Sequence, residues 1–226
     1  MTPRICASVF PQTSAEAVKL IDRAKEAGAN LVEVRLDSLK THEGLAEVAK
    51  HGKIQKIATN RLMKNKGKFS GTETQQKQIL LSAAKGGFDY VDIELSASNL
   101  KEFTTEASGF GAKVIVSFHD FDGVLKLAEL DSVLEREIAC GADVCKIVTT
   151  AKRVEDNLAL LNFTVAACKR THVICFAMGA AGRVSRFLSP LFGGFLTFAA
   201  LEHGKETAAG QMTVQEMQTA YKLLGL

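Results

Sequence analysis

With 226 residues, 46% of them hydrophobic and 23% charged, the chain has enough apolar content for one large core and too much for disorder. Its net charge of +3 comes without a dense Lys/Arg run, which argues against a nucleic-acid or membrane partner. Mean hydropathy is +0.07, and no apolar stretch nears the roughly 18 residues that a membrane span needs.

The opening run Met1-Thr2-Pro3-Arg4-Ile5-Cys6 leads straight into a first predicted strand, Ile5 to Val9, and not into a signal peptide. A helical pattern follows from Ser14 to Ala27, with Ser14 as its expected start and Gly28 as its stop. The second strand, Leu31 to Leu36, reads Leu-Val-Glu-Val-Arg-Leu before Asp37. Period-two alternation puts Glu33, Arg35 and Asp37 on one face and Val32, Val34 and Leu36 on the other. A third strand spans Ile54 to Thr59, and Thr72 opens a helix running to Lys85. The fourth strand, Tyr90 to Leu95, repeats the device, with Asp92 and Glu94 opposite Val91, Ile93 and Leu95.

The fifth strand, Val114 to Phe118, is closed by His119 beside Asp120, and a helix is expected from Val124 to Ala139. The sixth strand, Val144 to Val148, carries Lys146 inside an apolar run. Burial there penalises the ammonium and favours a nucleophilic amine, and a second cation at His119 on the neighbouring strand would add to the effect. A helix from Arg153 to Arg170 precedes the seventh strand, Val173 to Ala177; the eighth strand is Phe195 to Ala200. Between these two lie Gly179, Gly182, Arg183 and Arg186, suited to a phosphate or a carboxylate. The polar, glycine-bearing stretch from Glu202 to Gln211 is a lid candidate.

Eight strand–helix units in this length predict a single-domain (β/α)8 barrel over residues 1–226. An open doubly wound sheet is the weaker choice, because no GxGxxG follows the first strand. Outer strand faces of a barrel pack against helices, so the charged faces of strands two and four are expected to point inward, near the C-terminal rim where such barrels keep their sites. No HxH or HExxH spacing occurs, and His42, His51 and His172 read as helical or helix-end residues, so no catalytic metal is expected. The cysteines number five, without a CxxC pair, which suggests free thiols in a reducing cytoplasm.

Taken together, Glu33-Val34-Arg35-Leu36-Asp37, Thr59-Asn60-Arg61, Asp92-Ile93-Glu94, Ser117-Phe118-His119-Asp120-Phe121, Lys146-Ile147, Met178 through Arg186, Phe192-Gly193-Gly194 and Ala209-Gly210-Gln211 resemble type I 3-dehydroquinate dehydratase. The resemblance runs along nearly the whole chain. It implies a Schiff base on Lys146 with the ketone of 3-dehydroquinate, His119 as general acid/base, and the substrate carboxylate held by Arg186 with Gln211. It also implies ring hydroxyls bound by Glu33, Arg35 and Arg61, packing by Met178, a lid hydroxyl at Thr207, no cofactor and a homodimer. Relatives commonly have glutamate then two glycines where this chain has Asn65-Lys66-Gly67, which deprives Arg61 of that partner. They often have serine at the place of Thr207 and proline at that of Ala209, and some carry a fused shikimate dehydrogenase domain that is not expected here. Two rivals are a class I aldolase, which would show a phosphate requirement, and an idle barrel that senses a small carboxylate, for which neither Lys146 nor His119 is needed.

Overall fold

The computed structural model describes residues 3–226; Met1 and Thr2 of the opening run lie outside the described residues. Eight parallel strands alternate with helices: β1 Ile5–Val9, β2 Leu31–Arg35, β3 Gln55–Thr59, β4 Tyr90–Glu94, β5 Lys113–His119, β6 Val144–Thr150, β7 His172–Met178 and β8 Thr197–Ala199. The helices are α1 Ser14–Glu26, α2 Leu45–Lys50, α3 Glu73–Gly86, α4 Leu100–Gly109, α5 Leu127–Ala139, α6 Asp156–Ala167, α7 Arg183–Leu188 and α8 Val214–Leu223. Strand order β7-β6-β5-β4-β3-β2-β1-β8 wraps the sheet almost fully round. The seam between β7 and β8 is bridged by Phe195 N–H donating to Val173 C=O at 2.7 Å. This is the (β/α)8 barrel that the alternating pattern predicts.

Strand parity divides the core in two. Outward residues such as Ala7, Val34, Ile93, Val116, Ile147 and Cys175 pack under the helices in one continuous apolar layer. Inward residues Cys6, Leu31, Ile57, Tyr90, Ile115, Val144, Ile174 and Leu196 form a second cluster that plugs the barrel. Packing of that plug removes water from the floor, so the polar side chains above it, toward the C-terminal ends of the strands, are buried as well.

Several boundaries move, each for a local reason. Thr13 caps α1 by accepting the Glu16 N–H at 3.1 Å, while Ser14 donates to Glu43 C=O instead. The helix expected from Val124 starts at Leu127, because Asp120 accepts the Asp122 and Gly123 N–H groups and holds a turn there. The helix expected from Arg153 starts at Asp156, whose carboxylate accepts the N–H groups of Lys152 and Arg153 at 2.9 Å. His172, read as a helix end, opens β7. At Thr72 the expectation holds, with a reciprocal capping box to Gln75.

Candidate active site

At the C-terminal ends of the strands a solvent-open pocket with about 580 Å³ of empty space is lined by the residues that the resemblance places in the site: Glu33, Arg35, Arg61, His119, Lys146, Met178, Arg186, Thr207 and Gln211. Arg183, the other anion candidate beside Arg186, is exposed and does not line it. Alternation explains their convergence: Ser8, Glu33, Thr59, Asp92, Ser117 and Lys146 share the inward parity of the apolar plug below them.

Lys146 is buried, with Nζ donating to Asp92 Oδ2 at 2.7 Å, 3.9 Å from Glu33 Oε1 and 4.3 Å above the Phe198 ring. A carboxylate thus interrupts the apolar surroundings that the strand pattern gives Lys146. Loss of solvent, with Arg61 and Lys146 facing the ring, pushes the His119 imidazole well below its ordinary value. Asp92 is the hub of the site. Burial opposes its charge, but Arg61 and Lys146 more than offset this and hold the carboxyl well below the usual range.

Arg61, left without a partner by the sequence comparison of its loop, finds partners across the barrel. It donates to Asp92 at 2.8 Å and to Ser117 Oγ at 3.0 Å, and pairs with Glu94 at 3.1 Å. Burial works against its charge, yet Asp92 and Glu94 raise it above the ordinary arginine value. Asp37 is not on the strand face with Glu33. It sits in a 3-10 turn, Leu36–Ser38, and takes Arg35 in a two-pronged pair at 2.8 and 2.7 Å. Asp120 does not orient His119, being occupied by its own turn.

Arg186 is different in kind. Its side chain is 1% exposed, stands 4.3 Å from the Phe176 ring centroid, and leaves Nε and Nη2 without a partner. Burial alone lowers it to about 9. The backbone around it is pinned: Thr197 Oγ1 donates to Arg186 C=O at 2.7 Å, and Ser185 N–H donates to Asn157 at 2.9 Å. A buried guanidinium with free donors facing a pocket can take an anion, and the planar geometry of a carboxylate matches its fork.

The loop after β8 closes over this end. Thr207 N–H donates to Gln211 Oε1 at 2.7 Å, and Gln211 Nε2 donates back to Thr207 Oγ1 at 3.0 Å. The Thr207 hydroxyl donates to Ser8 Oγ at 2.9 Å; Ser8 in turn donates to Glu33, which also accepts from Thr59 at 2.8 Å. Gly210, at φ +82°, packs so tightly that a Cβ would come 2.2 Å from Gly179 O. Ser8 carries no role in the sequence reading, and Thr59 and Ser117 enter it only as parts of longer motifs. Their signal was a small hydroxyl at an inward position of an otherwise apolar strand. Asn65, Lys66, Phe121, Phe176 and Phe198 also line the pocket without having been singled out for it.

A profile of type I 3-dehydroquinase matches residues 5–226. A 3-dehydroquinate dehydratase of Methanothrix thermoacetophila is 34% identical over 224 residues, covering 99% of this chain and 93% of the relative. The chloroplastic bifunctional 3-dehydroquinate dehydratase/shikimate dehydrogenase of Arabidopsis thaliana is also 34% identical, over 96% of this chain but only 36% of its own length. A type I 3-dehydroquinate dehydratase of Clostridium difficile, solved with covalently modified comenic acid, superposes with a TM-score of 0.88 at 27% identity, covering 98% of this chain and 92% of that one. With the barrel, the convergent pocket and these likenesses in agreement along its length, the chain belongs to the type I 3-dehydroquinase family, hydro-lyases of the shikimate pathway.

Proposed function

We propose that this chain dehydrates 3-dehydroquinate to 3-dehydroshikimate through a Schiff base on Lys146, with His119 as general acid/base, over a single catalytic domain of residues 1–226. The observation that carries the reading is the juxtaposition, in one pocket, of a buried lysine, an imidazole on the next strand whose charge burial disfavours, and an unpaired buried guanidinium.

The substrate carboxylate docks on Arg186, with Gln211 and the Thr207 hydroxyl alongside, and Met178 packs on the ring. Glu33, Arg35 and Arg61 bind ring hydroxyls. Lys146 passes a proton to His119 and attacks the ketone carbon; His119 returns that proton to the carbinolamine hydroxyl, which leaves as water and gives an iminium. That cation draws electrons from the adjacent C–H bond, so neutral His119 takes the proton and an enamine forms. The enamine expels the β-hydroxyl, which leaves as water with the proton returned by His119. Hydrolysis of the conjugated iminium releases the enone and frees the lysine. Asp92, held ionised by two cations, stabilises positive charge at Nζ and is too weak a base to compete for these protons.

The proposed reaction uses no organic cofactor or metal; the described residues hold no group of three or more His, Cys, Asp or Glu placed to bind a metal. The described residues contain no helix long and apolar enough to cross a membrane. The five cysteines are unpaired, which supports a cytoplasmic location. Neither nucleic acid nor membrane is a partner in this reading. A homodimer accompanies it, tested by light scattering at twice the 24.3 kDa chain mass.

Turnover is followed as the rising ultraviolet absorbance of the conjugated enone. Borohydride added during turnover is expected to leave one secondary-amine adduct, mapped by mass spectrometry to the Lys146 peptide. Lys146→Ala abolishes trapping and turnover, His119→Ala lowers turnover by roughly 10²–10⁴-fold, and chelators change nothing. An adduct on another lysine, or near-normal turnover by Lys146→Ala, overturns the reading.

A further inference from the structure

The loop between β3 and α3 presents two residues that the reaction outlined above does not use. Asn65 and Lys66 both line the pocket. Lys66 holds φ +58°, a left-handed conformation that disfavours any residue bearing a Cβ. The turn around it is locked. Lys66 N–H donates to Met63 C=O at 3.0 Å, Gly67 N–H to Leu62 C=O at 2.9 Å, and Phe69 N–H to Arg61 C=O at 3.0 Å. A Cβ on Gly67 would lie 2.0 Å from Arg61 O, so the chain at this point admits only glycine. An exposed, strained lysine thus has its backbone fixed beside the pocket.

Its side chain reaches across to the β5 end of the pocket. Lys66 Nζ stands 4.0 Å from the centroid of the Phe121 ring. Phe121 in turn stacks on His119, with centroids 6.1 Å apart and planes inclined by 13°. Among the described residues no side-chain hydrogen bond orients the imidazole: Asp120 serves its own turn and Asp92 serves Arg61, Ser117 and Lys146. Asn65 is neutral, and its Nδ2 is buried without a partner. The plane of an imidazole at the end of a strand has two-fold freedom about its outer torsion unless something flat lies on it. Offset stacking supplies that restraint, and a cation on a ring face anchors the ring that does the stacking.

We infer that Lys66 and Phe121 form a clasp across the pocket mouth, Lys66 on Phe121 and Phe121 on His119, that sets the plane of the acid/base imidazole where no carboxylate does so. Lys66 and Phe121 are positioning residues, and the inference rests on the reading of His119 as acid/base. Lys66→Met keeps the stem and the backbone strain while removing the cation; Lys66→Arg keeps a cation for the ring. Lys66→Met is expected to lower kcat roughly fivefold at unchanged KM, and Lys66→Arg to retain most of the activity. Phe121→Leu lowers kcat at least as much, and adding Lys66→Met to it has no further effect, as for residues acting through one contact. Nitrogen-15 spectra give a readout apart from turnover. The His119 ring signals, assigned by their loss in His119→Gln, move or broaden in Lys66→Met, while those of His42, His51, His172 and His203 hold. Wild-type kcat and unmoved His119 signals in Lys66→Met overturn the clasp and leave the dehydratase reading intact; so does full additivity of the two substitutions. If the wild-type protein fails to dehydrate 3-dehydroquinate, the dehydratase reading falls, and the ring signals alone decide the clasp.

Discussion

Arg186 shows what one residue can cost a fold. Folding strips water from its guanidinium and offers the face of Phe176 in return, with no counter-charge and two nitrogens unpaired. In the proposed function such a group serves its ligand and not stability. Arg186→Met, which fills similar space without charge, is therefore expected to make the unliganded protein more stable by about 1–4 kcal/mol, the range found when buried ionic groups give way to apolar ones. The same variant should weaken substrate binding by about 2–5 kcal/mol. Urea unfolding with and without the product checks both, since product protects the wild type by mass action and should not protect the variant. A destabilised variant that still binds product would make Arg186 a structural residue.

At the scale of elements, β4 organises the site. Its inward residues Asp92 and Glu94 are 1% and 5% exposed, and between them they neutralise Arg61 from the end of β3 and Lys146 from β6. A strand with two inward carboxylates would be a liability by itself; opposite two cations it ties three strands together. Asp92→Asn leaves both cations short of a partner, and the expected loss is about 3–5 kcal/mol of stability. Glu33→Gln should cost less, because Glu33 is 3.9 Å from Lys146 and its other contacts are two hydroxyls, one of which the amide oxygen still accepts. Chemical denaturation of the two variants, compared at neutral pH, tests the ranking; equal stabilities would remove Asp92 as the hub. Inward carboxylates were legible on β4 from alternation alone. Which cations they meet was not, because Arg61 and Lys146 lie 31 and 54 residues from Asp92 in the chain.

For the molecule as a whole, stability against pH sums groups of opposite sign. Asp92 and His119 both titrate lower in the folded chain than unfolded. Each therefore contributes stability that is complete at high pH and lost on acidification, from near 6.5 downward for His119 and from near 3.8 downward for Asp92. Glu137 acts in the other direction. It lies on α5 against Cys145 on the outward face of β6, wholly buried with no cation paired to it, and burial raises it well above 4.5. The unfolded chain releases that proton first, so Glu137 withdraws stability as pH rises above 4.5. Glu137→Gln removes this dependence. The variant should gain on the wild type by up to about 1.4 kcal/mol per pH unit above 4.5, until the folded carboxyl itself ionises, with no gain below. Unfolding free energies measured from pH 4 to 8 check it, and a pH-independent difference would show that Glu137 titrates normally.

Features that depend on local repetition were readable from the sequence. Strand parity predicted which charges face inward, and eight repeats of strand and helix predicted the barrel that carries Lys146 and His119 on neighbouring strands. Tertiary structure decided which groups meet. Arg61 turned to β4 when its own loop offered no carboxylate, and Lys146, from an apolar run, met Asp92. Thr207 reached Ser8 across 199 residues of chain. Asp37 left the strand face for a turn, and Glu137, charged and unremarked in a helical pattern, was buried. The physical reason is that a side chain's face follows from backbone geometry within a few residues, whereas its partner follows from how strands are staggered around a closed barrel and how loops return over its rim. That stagger belongs to the assembled sheet, so no stretch of sequence read by itself contains it.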